Sequence, residues 1–349
     1  MRQILIFFIV FLFIGCSNKI ENLEKFKLLP SVQELEFKDT FSNLNFENIK
    51  FAYSVNNTEL PIRYDFTNHI ENNIQSESTI DYHIDSNLDL NQEGYKLDIL
   101  KNKISIVAKD EAGLFYAFTT LDQLIEDSKD QNVNLPMLSI KDYPLIKFRP
   151  IHIDVKHHLE KESYYYQLMD HLAQLKINGV ILEIEDKLKY KRRPEVGSED
   201  ALSIEKWKSI SEYAKKRNIN ISPLVQGLGH ASYILKHEQN KKLRDDPKSD
   251  WAFNPLDPET YKLQFDLYLD AMEATPYGKY LHVGGDEVQT TGRKSGKSAL
   301  ELNLIWLNKV SAFAEKHNRI PVFWDDMLLK QGEVYYPIYD LNISEQKVD

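Results

Sequence analysis

One cysteine, Cys16, occurs in the 349 residues, so no intramolecular disulfide can staple the chain and its order must come from a packed core. The longest apolar run, Ile4 to Ile14, falls well short of the ~20 residues that a membrane-spanning helix needs. A basic surplus is missing too: 43 Lys and Arg stand against 53 Asp and Glu, and the net charge of −10 offers no broad cationic surface to nucleic acid. Metal and nucleotide motifs fail on spacing. His157-His158 and His237-Glu238 have neither the His-Glu-x-x-His interval nor cysteine partners, so they read as surface or loop residues. Gly292-Arg-Lys-Ser-Gly296-Lys297-Ser298 places three residues where a phosphate-binding loop needs four, and Gly227-Leu-Gly229 lacks the third glycine of a dinucleotide fingerprint. Neither a metal nor a cofactor is expected.

The N-terminus is built for export. Met1-Arg2-Gln3 carries one positive charge, the apolar run follows, and Gly15-Cys16-Ser17 closes it, which is the form of a signal peptide. Phe13-Ile14-Gly15-Cys16 resembles a bacterial lipobox, with Phe13 where leucine is usual. Residues 1–16 are thus expected to be a lipoprotein signal peptide ending at a lipidated Cys16, and residues 17–27 a polar tether. That would place the mature protein in the bacterial cell envelope, with a lipid anchor in the membrane; the alternative is an ordinary cleaved signal peptide with an incidental cysteine.

With 42% hydrophobic residues, the rest can bury a substantial core. Between residues 28 and 145 the pattern predicts a small α/β domain. Tyr95, Leu97 and Ile99 alternate, Lys101-Asn102 turns, and Ile104, Ile106 and Ala108 alternate again. Leu114, Phe118, Leu121 and Ile125 then recur at helical spacing, predicting a helix from Glu111 to Asp127 against that sheet. Asp142-Tyr143-Pro144 reads as a turn and a domain boundary. From 146 to 349 the rhythm becomes strand, long loop, helix. Strands are predicted near 148–155, 179–185, 219–226, 280–285 and 320–325, and helices near 163–176, 203–217, 258–274 and 298–317. Such alternation implies parallel strands, in an open doubly wound sheet or a (β/α)8 TIM barrel.

Polar residues separate the two. Asp154, then Glu183, Glu185 and Asp186, then Gln226 and His230, then Asp286 and Glu287, then Trp324, Asp325 and Asp326 all fall at strand C-terminal ends, the active face of a barrel. The sharpest stretch is Tyr280 to Val288. A short apolar strand runs into Gly284 and Gly285, which remove bulk where a ligand or backbone comes close, and two adjacent carboxylates follow. Read alone, that pair could equally cap a helix. About five strands fit before Asp349, so the barrel is expected to be incomplete and the chain to be part of a longer protein, inactive or poorly folded by itself.

His282-Val-Gly-Gly-Asp286-Glu287-Val288 resembles the His-x-Gly-Gly-Asp-Glu signature of glycoside hydrolase family 20, the β-N-acetylhexosaminidases. Flanking segments are similar in the same order: Phe148-Arg149, Lys176-Ile-Asn178, Gly229-His230 and Phe323-Trp324-Asp325-Asp326-Met327. Ile184-Glu185-Asp186-Lys187 and Leu224-Val-Gln226 are most similar to the hexosaminidase D branch. The resemblance implies an exo-acting glycosidase that removes terminal GlcNAc or GalNAc from glycans, with the substrate's own 2-acetamido group as nucleophile. It implies Glu287 as general acid/base and Asp286 as the acetamide partner. Arg149 would bind the outer hydroxyls, and Asp186, His230, Trp324 and Asp325 would line the sugar pocket. Adjacent carboxyls in one apolar pocket should push their pKa values apart, leaving Glu287 protonated and Asp286 ionised. Pro150 where glycine is common, and Gln226 where many members carry an acid, depart from the pattern. Rival readings are a non-catalytic glycan-binding surface lipoprotein and a barrel hydrolase with a carboxylate nucleophile.

Overall fold

Tyr95, Leu97 and Ile99 share one face of a strand, Ile104, Ile106 and Ala108 share the same face of the next, and all six are buried. The computed structural model describes residues 25–45, 50–51, 71–72, 80–156 and 158–328. Cys16 and the leader lie outside the described residues, as does everything after 328. The chain divides between Leu145 and Ile146 into two compact units.

In the first unit, strands β1 (Glu34–Phe41), β2 (Ile80–Ile84), β3 (Tyr95–Ile99), β4 (Ile104–Ala108) and β5 (Pro136–Asp142) form one sheet in the order β1-β5-β3-β4-β2. The hairpin pairs antiparallel with Leu97 opposite Ile106. Helix α1 (Glu111–Gln131) starts at Asp110, whose carboxylate accepts from the Gly113 amide at 2.8 Å, and lays Leu114, Phe118, Leu121 and Ile125 on the core. It runs a turn past its apolar stripe because Asn132, at φ +52, supplies the left-handed residue that ends it. Asp142 ends β5 buried, not in a turn, and accepts from the Tyr95 hydroxyl at 3.0 Å.

The second unit alternates β6 (Pro150–Asp154), α2 (Glu162–Gln174), β7 (Gly179–Glu183), α3 (Ile204–Lys215), β8 (Asn220–Gly227), α4 (Pro258–Ala274), β9 (Tyr280–Gly284), α5 (Ala299–Lys316) and β10 (Ile320–Val322). The five strands are parallel and sit side by side in chain order. A doubly wound sheet would reverse its order at a switch point, whereas a barrel wall winds one way, so the order decides for the barrel. Curvature agrees. Four strand spacings of ~4.8 Å would set β6 and β10 about 19 Å apart if the sheet were flat. The His152 and Trp324 rings, from β6 and from just past β10, instead lie 6.0 Å apart. Among the described residues, then, the protein is part of a (β/α)8 barrel.

The helices cover this wall. Asp257 caps α4 through the Glu259 amide at 2.9 Å, with Pro258 in the first turn. Ser298 and Glu301 form a reciprocal capping box at α5, so the glycine-rich segment before it is a helix entry. Trp207 and Trp306 are buried, and each indole N–H is satisfied, by the Lys187 carbonyl at 3.0 Å and by Gln264 at 2.9 Å. No helix among the described residues is long and apolar enough to cross a membrane.

Candidate active site

The site grows from the end of β9. His282 is buried there, and its Nδ1 accepts the Gly284 amide at 3.1 Å, which leaves Nε2 as the protonated nitrogen of a neutral ring. Burial, aided by the nearby His152, pushes its pKa down to about 4. Gly284 has φ +75, and a Cβ on it would stand 2.1 Å from the Gln226 amide oxygen. Gly285 has φ +100, and its Cβ would reach 3.0 Å from the Trp306 ring. Both positions therefore disfavour a side chain by conformation, and at Gly284 a Cβ would also displace the Gln226 amide. Gly229 acts likewise from β8: a Cβ there would be 2.7 Å from Val288 and 2.9 Å from the Asp286 carbonyl. Its absence lets the loop carrying His230 close onto the acidic pair.

Asp286 and Glu287 emerge beside His230. The His230 Nε2 lies 3.3 Å from Asp286 Oδ2 and 3.4 Å from Glu287 Oε2. Nε2 makes neither contact with hydrogen-bond geometry, and Asp286 Oδ1, on the other side of the carboxyl, is buried without a hydrogen-bond partner. Burial raises the Asp286 pKa, Asp326 and Glu183 add to it, and His230 opposes it. The sequence-based expectation put the raised pKa on Glu287 and left Asp286 ionised. The structure puts the burial on Asp286, whereas the Glu287 side chain is 73% exposed.

Beneath the pair is a second polar layer. Glu183, 3% exposed, accepts from His152 Nε2 at 3.0 Å, Lys156 Nζ at 3.1 Å and Gln226 Nε2 at 3.0 Å. Burial alone would lower the Lys156 pKa, but hydrogen bonds to Asp154 and Glu183 outweigh it and raise the value. Glu185, held at φ +37, is pushed up to about 8 by burial and by Glu183, Asp154 and Asp186, against the pull of Lys156.

The residues singled out by sequence divide into three groups. Asp286, Glu287 and His230 meet directly. Asp186, Trp324 and Asp325 lie at the same C-terminal edge: Asp186 sits 3.5 Å from Lys187 Nζ, Trp324 packs 4.6 Å from the His282 ring, and Asp325 is solvent-exposed. Arg149 is not brought there. It precedes β6, at the opposite edge of a parallel sheet, with Nε on the Lys176 carbonyl at 2.9 Å and Nη1 on the Ile146 carbonyl at 2.8 Å. Asp326 and Trp251 were missed as site residues. Asp326 accepts the Glu287 amide at 3.0 Å, and the Trp251 indole donates to the Glu287 carbonyl at 3.2 Å. Asp326 stood in the quoted segment beside Asp325, and only the turn geometry chooses between them. Trp251 lies in a long loop with no periodic signal.

One donor each from His230, Asp286 and Glu287 lie within 4.8 Å of one another, and among the described residues this is the group that could hold a metal ion. The same imidazole and two carboxyls also form a set that can store and deliver a proton.

Comparison with known proteins gives this geometry a family. The profile of the family 20 glycosyl hydrolase catalytic domain matches residues 146–342, and that of the family's domain 2 matches 27–143. Hexosaminidase D of Bos taurus is 29% identical over 192 residues, covering 52% of this chain and 56% of that protein. A beta-hexosaminidase of Porphyromonas gingivalis is 27% identical over 288 residues, covering 70% of this chain and 37% of that protein. The chain thus spans about half or less of the length of these relatives. The solved β-N-acetylhexosaminidase from Bacteroides fragilis superposes with TM-score 0.72 at 21% identity, covering 88% of this chain and 67% of that one. Flavobacterium johnsoniae chitobiase gives 0.72 at 22%, covering 87% and 53%. At that identity the superpositions speak for the fold, and together with two family profiles that leave little of the chain unmatched they make it a member of glycosyl hydrolase family 20.

Proposed function

We propose that the protein is an exo-β-N-acetylhexosaminidase that removes terminal GlcNAc or GalNAc from glycans with retention, using the substrate's acetamido group as nucleophile. The observation that carries this reading is the adjacent Asp286–Glu287 pair at the end of the fourth barrel strand, with His230 Nε2 3.3 and 3.4 Å from its two carboxylates. Glu287, facing solvent, protonates the glycosidic oxygen as the leaving group departs. The amide oxygen attacks the anomeric carbon, and its N–H gains positive character as the ring closes. Asp286 receives that N–H. Because burial destabilises its charge in the resting site, it gains most when the partner becomes cationic, which lowers the barrier more than it tightens ground-state binding. Glu287 then takes a proton from the water that opens the intermediate.

The names of the relatives support the substrate class. The lipobox-like Cys16 supports export to the bacterial cell envelope and a lipid anchor there, and the acidic balance speaks against nucleic acid. Two measurements test the chemistry. Glu287→Gln should lower turnover of a chromogenic N-acetylhexosaminide by about 10²–10⁴-fold, as loss of a general acid does, while a glycan-binding protein would keep its affinity and have no turnover to lose. A substrate with hydroxyl in place of acetamido should resist hydrolysis. Its efficient cleavage would overturn the substrate-assisted route in favour of a carboxylate nucleophile.

A further inference from the structure

Glu287 poses a mechanical problem. Its side chain is 73% exposed, so packing does not aim it, and its backbone sits at φ +49, which non-glycine residues rarely adopt. A proton donor needs a fixed position, since small misplacements of a reacting group cost large factors in rate. The position must be set through the main chain.

Two side chains grip that main chain from opposite sides in sequence. The Glu287 amide donates to Asp326 Oδ2 at 3.0 Å, 39 residues downstream, and the Glu287 carbonyl accepts from Trp251 Nε1 at 3.2 Å, 36 residues upstream. Each is itself anchored. Asp326 opens a short 3-10 turn closed by the Leu328 amide on the Asp325 carbonyl at 2.9 Å. The Trp251 carbonyl accepts the Ala231 amide at 3.0 Å, and its own amide donates to Ser249 Oγ at 3.2 Å. The Trp251 ring also packs 4.3 Å from the His230 ring, whose Nε2 faces the Glu287 carboxylate. One indole thus touches both the backbone of the acid and the imidazole beside it.

We infer that Asp326 and Trp251 are positioning residues that clamp the peptide of Glu287 and thereby fix where its carboxyl stands. The inference rests on the reading of Glu287 as the proton donor. Neither residue transfers a proton itself. Asp326 has one separable effect: its charge bears on Asp286, whereas its bond to the Glu287 amide needs only an oxygen acceptor.

The test uses Asp326→Ala, Asp326→Asn and Trp251→Phe in the whole chain, with two readouts. Kinetics with a chromogenic N-acetylhexosaminide should show kcat for Asp326→Ala lowered on the order of 10²-fold with KM within about twofold, because orientation of the acid matters to the transition state and little to ground-state binding. Asp326→Asn should restore most of kcat. Trp251→Phe, which keeps a ring against His230 and loses the donor, should also lower kcat and spare KM. Hydrogen exchange of the Glu287 amide, followed in 15N-labelled protein, should be slow in the wild type and Asp326→Asn and much faster in Asp326→Ala.

If the wild type hydrolyses no N-acetylhexosaminide, as is expected of an incomplete barrel by itself, amide exchange alone decides the clamp. A folded Asp326→Ala with wild-type exchange at Glu287, or a Trp251→Phe whose kcat is unchanged, would overturn it. Should Asp326→Ala fail to fold, the Trp251→Phe and Asp326→Asn kinetics carry the decision.

Discussion

Glu185 shows what one residue costs the fold. It is 8% exposed, held at φ +37, and its pKa is pushed from 4.5 to about 8. The folded state therefore keeps a proton that the unfolded chain releases above about pH 4.5. Its contribution to stability is complete below that pH and is lost as pH rises through 8. Glu185→Gln cannot ionise and should escape the loss. The variant's thermal midpoint should match the wild type near pH 4.5 and pull ahead towards pH 8, by at most roughly 1.4 kcal/mol per pH unit. Parallel midpoint-against-pH curves would refute this. His282, with its pKa depressed to about 4, works in the opposite sense, losing stability as pH falls from 6.5, and it does so in both proteins, so the difference isolates Glu185. At this scale the meeting of the acidic pair and His230 was legible because each sits in a short, strongly marked segment at a strand's end. Arg149 stands before its strand, and strand direction alone sends it to the far edge. The Asp325 and Asp326 pair was not separable, because two neighbours in a turn differ only in which way the turn faces.

Among the elements, the β9 strand and the turn that follows it leave little room for substitution. Gly284 meets the Gln226 side chain and Gly285 meets Trp306, so each glycine is fitted to a partner from a different element. Gly284→Ala should force Gln226 off Glu183 or swing the Asp286 peptide. Either way, turnover should fall by at least about 10-fold, since the pair lies directly downstream and tolerates little displacement. Wild-type turnover in a folded Gly284→Ala would show that the turn has slack. The helices were readable from their apolar stripes, and Asp257-Pro258 opens α4 where expected, whereas the Ser298 and Glu301 box that opens α5 was not read from the sequence. The end of α1 was less visible, since a left-handed Asn132 carries no hydrophobic pattern. Glycine in the β8–α4 loop looked like a failed nucleotide fingerprint. Its use is close approach, with Gly229 making room for Val288.

For the whole molecule, parallel strands, a polar mouth and the choice of barrel over open sheet could be inferred from rhythm and from where acids fall, and the strand order bears that choice out. Each unit holds its own core, Leu97 and Ile106 in the first and Trp207, Trp306 and Tyr268 in the second. Leu97→Ala, a large-to-small change at 0% exposure, should cost about 2–5 kcal/mol of the first unit's stability. All four tryptophans, Trp207, Trp251, Trp306 and Trp324, belong to the second unit. Circular dichroism of the variant should therefore show an earlier loss of structure, while the emission transition stays in place. One coincident, shifted transition would contradict that. The tryptophans also divide among themselves: Trp207 and Trp306 are 1% and 0% exposed, and Trp251 and Trp324 are 39% and 38% exposed at the mouth. A soluble quencher such as iodide should dim the mouth pair and spare the core pair. The protein thus carries an unlabelled optical gauge of its own site, in which an occupant that shields those two indoles announces itself as protected fluorescence.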